Sequence, residues 1–164
     1  MIEHEDGFAD FAAIIDDEVD PFGLDDVAIE WRTKTHHTVQ RDAAGRPIAH
    51  VGLLVAEVAV GEQTIEVVGV GGVIVTHSQR GKGLLRPLLE AALSRDLGPE
   101  RAMLWCTAAN AGIYARLGFE HITAPVTVEQ AAGQYVMPMP TMWKPLRHGA
   151  TWPAGEVRVP GLPF

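Results

Sequence analysis

Of the 164 residues only one is a cysteine, Cys106, so the chain can close no internal disulfide and suits a reducing compartment. Basic residues are scarce: 13 Lys and Arg stand against 21 Asp and Glu, for a net charge of −8. A nucleic-acid backbone needs a basic face, so no nucleic-acid partner is expected. Long apolar runs are missing too. The longest stretch free of charge and strong polarity, residues 67–75, falls far short of the ~20 residues of a membrane helix, so no membrane association is expected. The opening segment, MIEHEDGFADFAAIIDDEVD, is acidic and lacks the basic region and apolar stretch of a secretion signal, so the expected location is the cytoplasm. CxxC and HExxH spacings do not occur, and His36 and His37, being adjacent, point to opposite faces of a strand. No metal is expected.

What is present fits one core, read as a single domain over 1–164. Ten of the 21 acids lie in the first 26 residues, either a solvated face or one wall of a pocket for a cation. A short helix is predicted over 8–17, with Phe8, Phe11, Ile14 and Ile15 on one stripe. From Thr35 the pattern turns to strands: THHTVQR, the turn DAAG, then RPIAHVGLLVAEVAV, the turn GEQ, and TIEVVGVGGVIV. A helix over about 82–96 buries Leu85, Leu88, Leu89 and Ala92. RAMLWCT reads as a strand, AANAGIYARLG as a helix closed by Gly118, and Phe119 opens another strand. Residues 120–164 hold seven of the eleven prolines; a strand is expected near QYVMPMPTMWKPL and an extended or irregular tail after it. Strands first, then alternating strands and helices, give an α/β fold with a mixed, mostly antiparallel central sheet flanked by helices.

The most informative stretch is VGGVIVTHSQRGKGLLRPLLEAAL, residues 70–93. Two glycines surround a lysine where a strand gives way to a helix. A Walker A loop needs Gly-x4-Gly-Lys-Ser/Thr, and Thr76 and Gly83 violate it. A dinucleotide GxGxxG also fails, since Leu84, Leu85 and Arg86 follow Gly83. The physics still favours an anion. The first amides of a helix lack internal partners, and glycines let a ligand approach them. Arg80 and Lys82 add charge, and Pro87 is tolerated in a first helical turn. In the preceding strand, Gly69, Gly71 and Gly72 mark a bulge or a close approach by a ligand or another backbone.

These residues resemble the GCN5-related N-acetyltransferase (GNAT) superfamily. Its pyrophosphate pattern Arg/Gln-x-x-Gly-x-Gly/Ala reads here as Arg80-Gly81-Lys82-Gly83-Leu84-Leu85, with Leu85 in place of the last small residue. NAGIYARLGF is similar to the second signature, matching at Tyr114, Gly118 and Phe119. AHVGLLVAEVAVGE and the tail WPAGEVRV look like segments of nodulation-type N-acyltransferases, and the tail is also similar to that of aminoglycoside 2′-N-acetyltransferases. The resemblance implies acetyl-CoA, or another acyl-CoA, as co-substrate. It implies pyrophosphate on Arg80, Gly81, Lys82, Gly83, Leu84 and Leu85, the pantetheine arm beside Val73, Ile74 and Val75, and Asn110 as a further coenzyme ligand. An N–H near Val73 would polarise the thioester carbonyl, and Tyr114 would protonate the leaving thiolate. Glu156 and Trp152 would face the acceptor, the Pro-rich segment 125–164 forming part of its side, with Asp25 and Asp26 as further candidates or as a helix cap.

The aminoglycoside branch carries a glutamate base just before the strand bulge, where this chain has Gly71. Glu66, Glu57 and His77 are other candidates, alongside a water chain or an amine arriving neutral. Cys106, on an apolar strand, reads as a buried small hydrophobe. The methionines of MPMPTM alternate as core or pocket lining. The expected activity is transfer of an acyl group from CoA to a primary amine of a small molecule, with an amino sugar or aminoglycoside as a candidate acceptor and a homodimer as a candidate assembly. The rival reading is a non-catalytic CoA-binding or partner-binding module of the same fold.

Overall fold

The computed structural model describes the chain apart from residues 9, 16, 17, 19 and 25–27. Asp25 and Asp26 thus lie outside the described residues. Contacts gather the chain into two compact units: Met1–Val27, Lys34–Leu54 and Val70–Asp96 form the first, and Ala28–Thr33, Val55–Gly69 and Leu97–Phe164 the second.

In the first unit, β1 (Ile2–Glu5) runs antiparallel to β2 (His36–Arg41), and β2 runs antiparallel to the start of β3 (Pro47–Val60). β1 was not apparent as a strand among its acids. It is an edge strand whose Glu3 and Glu5 both accept from the Arg41 guanidinium, at 2.9 and 2.7 Å. The β2–β3 turn is the expected DAAG, with Asp42 Oδ1 accepting from the amides of Ala44 and Arg46. α1 is Phe11–Ile15 and buries Ile14; of the expected 8–17, residues 9, 16 and 17 lie outside the described residues. Phe8 lies outside it and packs its ring edge-on to Phe11 at 5.1 Å. β4 (Gln63–Val75) ends in this unit and leads through a 3-10 turn at His77–Gln79 into α2 (Leu85–Leu93). α2 starts later than the expected 82 because Gly81 and Gly83 have φ of +76° and +75°, which a right-handed helix cannot contain. Leu88, Leu89 and Ala92 are its buried face.

In the second unit the hydrogen-bonded strand order is β6-β9-β5-β4-β3-β10-β7-β8, with β3 and β4 counted there between Val55 and Gly69. β5 is Arg101–Trp105, β6 Glu120–His121, β7 Val126–Gln130, β8 Gly133–Val136, β9 Thr141–Pro145 and β10 Val157–Val159. The single strand expected near QYVMPMPTMWKPL is two, β8 and β9, because Pro138 and Pro140 cannot donate to a ladder. Met137 and Met142 between and within them are core residues. The tail is not irregular throughout. β10 inserts between β7, to which it is parallel, and β3, to which it is antiparallel.

Gly69 is explained by the tail. A Cβ there would lie 2.4 Å from the ring of Phe164, which is buried and packs on Trp105 with ring centroids 4.5 Å apart. The glycine marks a close approach, but by a side chain rather than by a ligand or backbone. Gly69→Ala is expected to destabilise the chain by about 1–3 kcal/mol, the usual cost of overpacking a core. A urea midpoint unchanged from wild type would show that Phe164 moves aside freely.

α3 (Ala108–Arg116) explains half of the second signature in structural terms. Gly118 has φ +87°. Its N–H donates to Ala115 O at 3.0 Å, and the Phe119 N–H donates to Tyr114 O at 3.1 Å. That is a Schellman cap, and the Tyr114–Phe119 ring contact at 5.9 Å is its accompanying apolar contact.

Candidate active site

The loop from Arg80 to Leu85 has the form of an anion cradle. Gly81 and Gly83 are both left-handed, and a Cβ built on either meets nothing within 4 Å, so the loop faces open space. Among the described residues, no backbone carbonyl outside the helix takes a hydrogen bond from the amides of Gly81–Leu85. The N-cap of α2 is Leu84, with no side-chain cap bond. Successive unpartnered amides at the positive end of a helix are a site for an anion. Pro87 sits at the third helical position, where a missing N–H costs no helical bond.

The two loop cations differ in what they do. Arg80 is a strut: its guanidinium pairs with Glu18 at 2.8 and 2.5 Å and donates from Nε to Val75 O at 3.0 Å. The ion pair with Arg80 holds Glu18 below the usual carboxylate range. Of the strand residues expected beside the pantetheine arm, Val75 therefore has its carbonyl already engaged. Lys82 Nζ reaches Gln79 Oε1 at 2.9 Å and stays exposed. Val73 and Val75 are half-buried and Ile74 is buried.

The regular strand backbone breaks at Gly72, as it does at a glycine bulge. Gly72 has φ +58°. Nearby, a Cβ on Gly52 would lie 2.5 Å from the Lys34 side chain and 3.1 Å from Gly71 O, so Gly52 leaves room for both. Sequence reading passed over Gly52; its interruption of an apolar strand was the available signal. It also passed over a histidine pair under the bulge. His37 Nδ1 and His50 Nε2 lie 2.9 Å apart, and His50 Nδ1 lies 2.7 Å from Gly72 O. Phe8 and Phe11 cover the His50 ring at 4.9 and 4.6 Å.

Burial carries a pH consequence. His50 is held down from 6.5 to about 4 because the buried site disfavours the cation. His37 shifts the same way, mainly for the same reason. With the folded value below the unfolded one, the unfolded chain takes up the proton first as pH falls. The stabilisation is complete above about pH 6.5 and is lost progressively down to about pH 4, about 3 kcal/mol for His50. The urea midpoint is expected to fall clearly between about pH 7 and about pH 4.5; an unchanged midpoint would show that the pair is not held neutral.

In the second unit, Tyr114 is buried on α3, and desolvation raises its phenol well above the ordinary value. It is therefore a fully protonated donor at neutral pH, although not the unperturbed one expected. Asn110 is exposed in the first turns of the same helix. Trp152 packs against Trp143 with centroids 5.6 Å apart and ring planes tilted by 42°, and its indole Nε1 is buried without a partner among the described residues. Glu156 has an exposed side chain and accepts from the Gly61 N–H through its carbonyl. Glu57, Glu66 and His77 are all exposed. Cys106 is buried, with its thiol pushed up to about 11 by desolvation, which suits packing rather than nucleophilic work. Among the described residues no group of three or more metal-ligating side chains occurs, and no helix is long and apolar enough to cross a membrane.

A family model described as an acetyltransferase (GNAT) domain matches residues 25–122, more than half of the chain. The chain belongs to the GNAT acetyltransferase family. It is an acyltransferase of that family, and its mostly antiparallel sheet with few helices is the GNAT fold. The solved structures agree. The GNAT family N-acetyltransferase YhbS of Escherichia coli, in complex with CoA, is 19% identical with a TM-score of 0.61, over 97% of this chain and 88% of that one. A Klebsiella pneumoniae protein assigned as an acyl-CoA N-acyltransferase is also 19% identical with a TM-score of 0.61, over 90% and 97%. A Lactobacillus plantarum protein assigned as an N-acetyltransferase is 17% identical with a TM-score of 0.57, over 90% and 98%. At these identities the likeness establishes the fold. No curated protein matches the chain.

Proposed function

We propose that this GNAT protein works as one acyltransferase domain that moves an acetyl group, or another acyl group, from CoA to a primary amine of a small molecule. The observation that carries the reading is the open, doubly left-handed Gly81–Gly83 loop at the uncapped start of α2. Its amides, with Lys82, hold the pyrophosphate, while Arg80 braces the loop against Glu18 and Val75. The bound coenzyme supplies the acyl group as a thioester. The backbone of Val73–Val75 lies along the pantetheine arm as an added strand does. The Val73 N–H polarises the thioester carbonyl. As the amine nitrogen bonds to the acyl carbon and the C–S bond breaks, Tyr114, kept protonated by burial, gives its proton to the departing thiolate, and the proton shed by the amine returns through water to the tyrosinate. Asn110, exposed on α3, is a further coenzyme contact.

For the acceptor, the exposed Glu156 carboxylate and the Trp152–Trp143 pair support a cationic ligand with a hydrophobic face, such as an amino sugar. The net charge of −8 favours such a ligand at long range. The test is release of free thiol from acetyl-CoA across a panel of primary amines, including amino sugars and aminoglycosides. Amine-dependent release is expected. CoA binding without turnover on any amine would instead indicate a binding module.

A further inference from the structure

We infer that His50, backed by His37, is a positioning residue that aims the amide of the β4 bulge. The inference rests on the reading that the Val73 N–H polarises the thioester carbonyl. The start is the bulge itself. Gly72 sits at φ +58°, and glycine crosses between backbone basins at little cost. A flexible residue at this point leaves the Gly72–Val73 peptide free to flip, and a flip would turn the Val73 N–H away from the acyl group. Something must fix that peptide.

The structure shows one side chain that does so. His50 Nδ1 is 2.7 Å from Gly72 O. A carbonyl oxygen only accepts, so Nδ1 carries the proton and donates it. In the neutral ring His50 Nε2 is then the acceptor, and the donor to it is the Nδ1–H of His37, 2.9 Å away. The bond to Gly72 O fixes the His50 tautomer. The register places the relay: His37 pairs with Gly52 and Val39 with His50, so the two rings are diagonal neighbours on one face of the β2–β3 ladder. His50 is wholly buried, with Phe8 stacked on it and Phe11 edge-on, so its ring has no room to swing.

The consequence follows from peptide geometry. The chain has no cis peptide among the described residues, and in a trans peptide the C=O and the N–H point in opposite directions. Pulling Gly72 O towards His50 therefore drives the Val73 N–H away from the histidines. A hydrogen bond accepted by the carbonyl also polarises the peptide and makes its N–H a stronger donor. His50 touches neither substrate nor coenzyme in this account. It acts through the Gly72–Val73 peptide.

The experiment compares His50→Leu, His50→Asn and wild type. Asn carries an N–H at the same distance along the side chain as Nδ1. Three quantities are read: CoA affinity by calorimetry, kcat by thiol release, and the Val73 amide resonance by NMR without coenzyme. His50→Leu is expected to lower kcat about 100-fold, the low end for losing one oxyanion donor. CoA affinity should stay within about twofold of wild type. The Val73 resonance should shift or split, and His50→Asn should return both it and most of kcat. Should His50→Leu not fold, His37→Leu carries the test through the lost hydrogen bond to His50 Nε2, with about a tenfold fall in kcat. Wild-type kcat in the Leu variant, an unmoved Val73 resonance, or a parallel loss of CoA affinity overturns the inference alone. A wild-type chain that turns over no acyl-CoA overturns the acyl-transfer reading and the catalytic role of His50 with it.

Discussion

Gly83→Asp is expected to weaken CoA binding at least about 100-fold, or about 3 kcal/mol. Two effects combine. Gly83 holds φ +75°, where any side chain costs about 1–2 kcal/mol. The carboxylate then stands against the pyrophosphate, and like charges about 4 Å apart near a protein surface repel by about 4 kcal/mol before salt screening. Gly83→Ala separates the two. A Cβ at Gly83 meets nothing within 4 Å, so alanine introduces backbone strain without a clash or a charge. Its loss should be about tenfold. Calorimetric titration of CoA into both variants reads the difference. Equal affinities for Asp and wild type would place the pyrophosphate elsewhere.

Tyr114→Phe is expected to lower kcat about 100-fold while leaving CoA affinity unchanged, because a positioned general acid contributes about 10²–10⁴. The fold should tolerate it. The ring contact with Phe119 and the Schellman cap, which uses the backbone carbonyl of Tyr114, do not need the hydroxyl. Unchanged turnover would remove Tyr114 as the acid and leave it as a packing residue of the cap. The raised phenol adds a sign: no loss of activity through tyrosine ionisation is expected as pH rises to about 10, the ordinary tyrosine value.

Much of the conformation of the Arg80–Leu85 loop was legible in the sequence, because glycine reports backbone conformation directly. Gly81, Gly83 and Gly72 are left-handed where the pattern required freedom. Gly118 closes α3 by a cap that any Tyr-x-x-x-Gly-Phe helix end can make. Gly69 shows the limit of the same reasoning. A glycine says that space is needed, not for whom, and here the occupant is Phe164 from the far end of the chain. The elements missed have local causes. β1 hides because Glu3 and Glu5 look like a solvated acidic run until Arg41, 36 and more residues away, pairs with both. β8 and β9 merge in a pattern of alternating apolar residues that two prolines divide. The His37–His50 pair was invisible because register, not spacing, brings the rings together. His36 and His37 were read as a failed metal clamp, whereas the partner of His37 lies on the next strand.

The Arg80–Leu85 loop is the proposed seat of the CoA pyrophosphate. A crystal structure of the chain soaked with CoA tests it most directly. The account predicts pyrophosphate oxygens within hydrogen-bond distance of the amides of Gly81–Leu85, with the pantetheine arm along Val73–Val75. CoA bound elsewhere, or no CoA bound at saturating concentration, would contradict it.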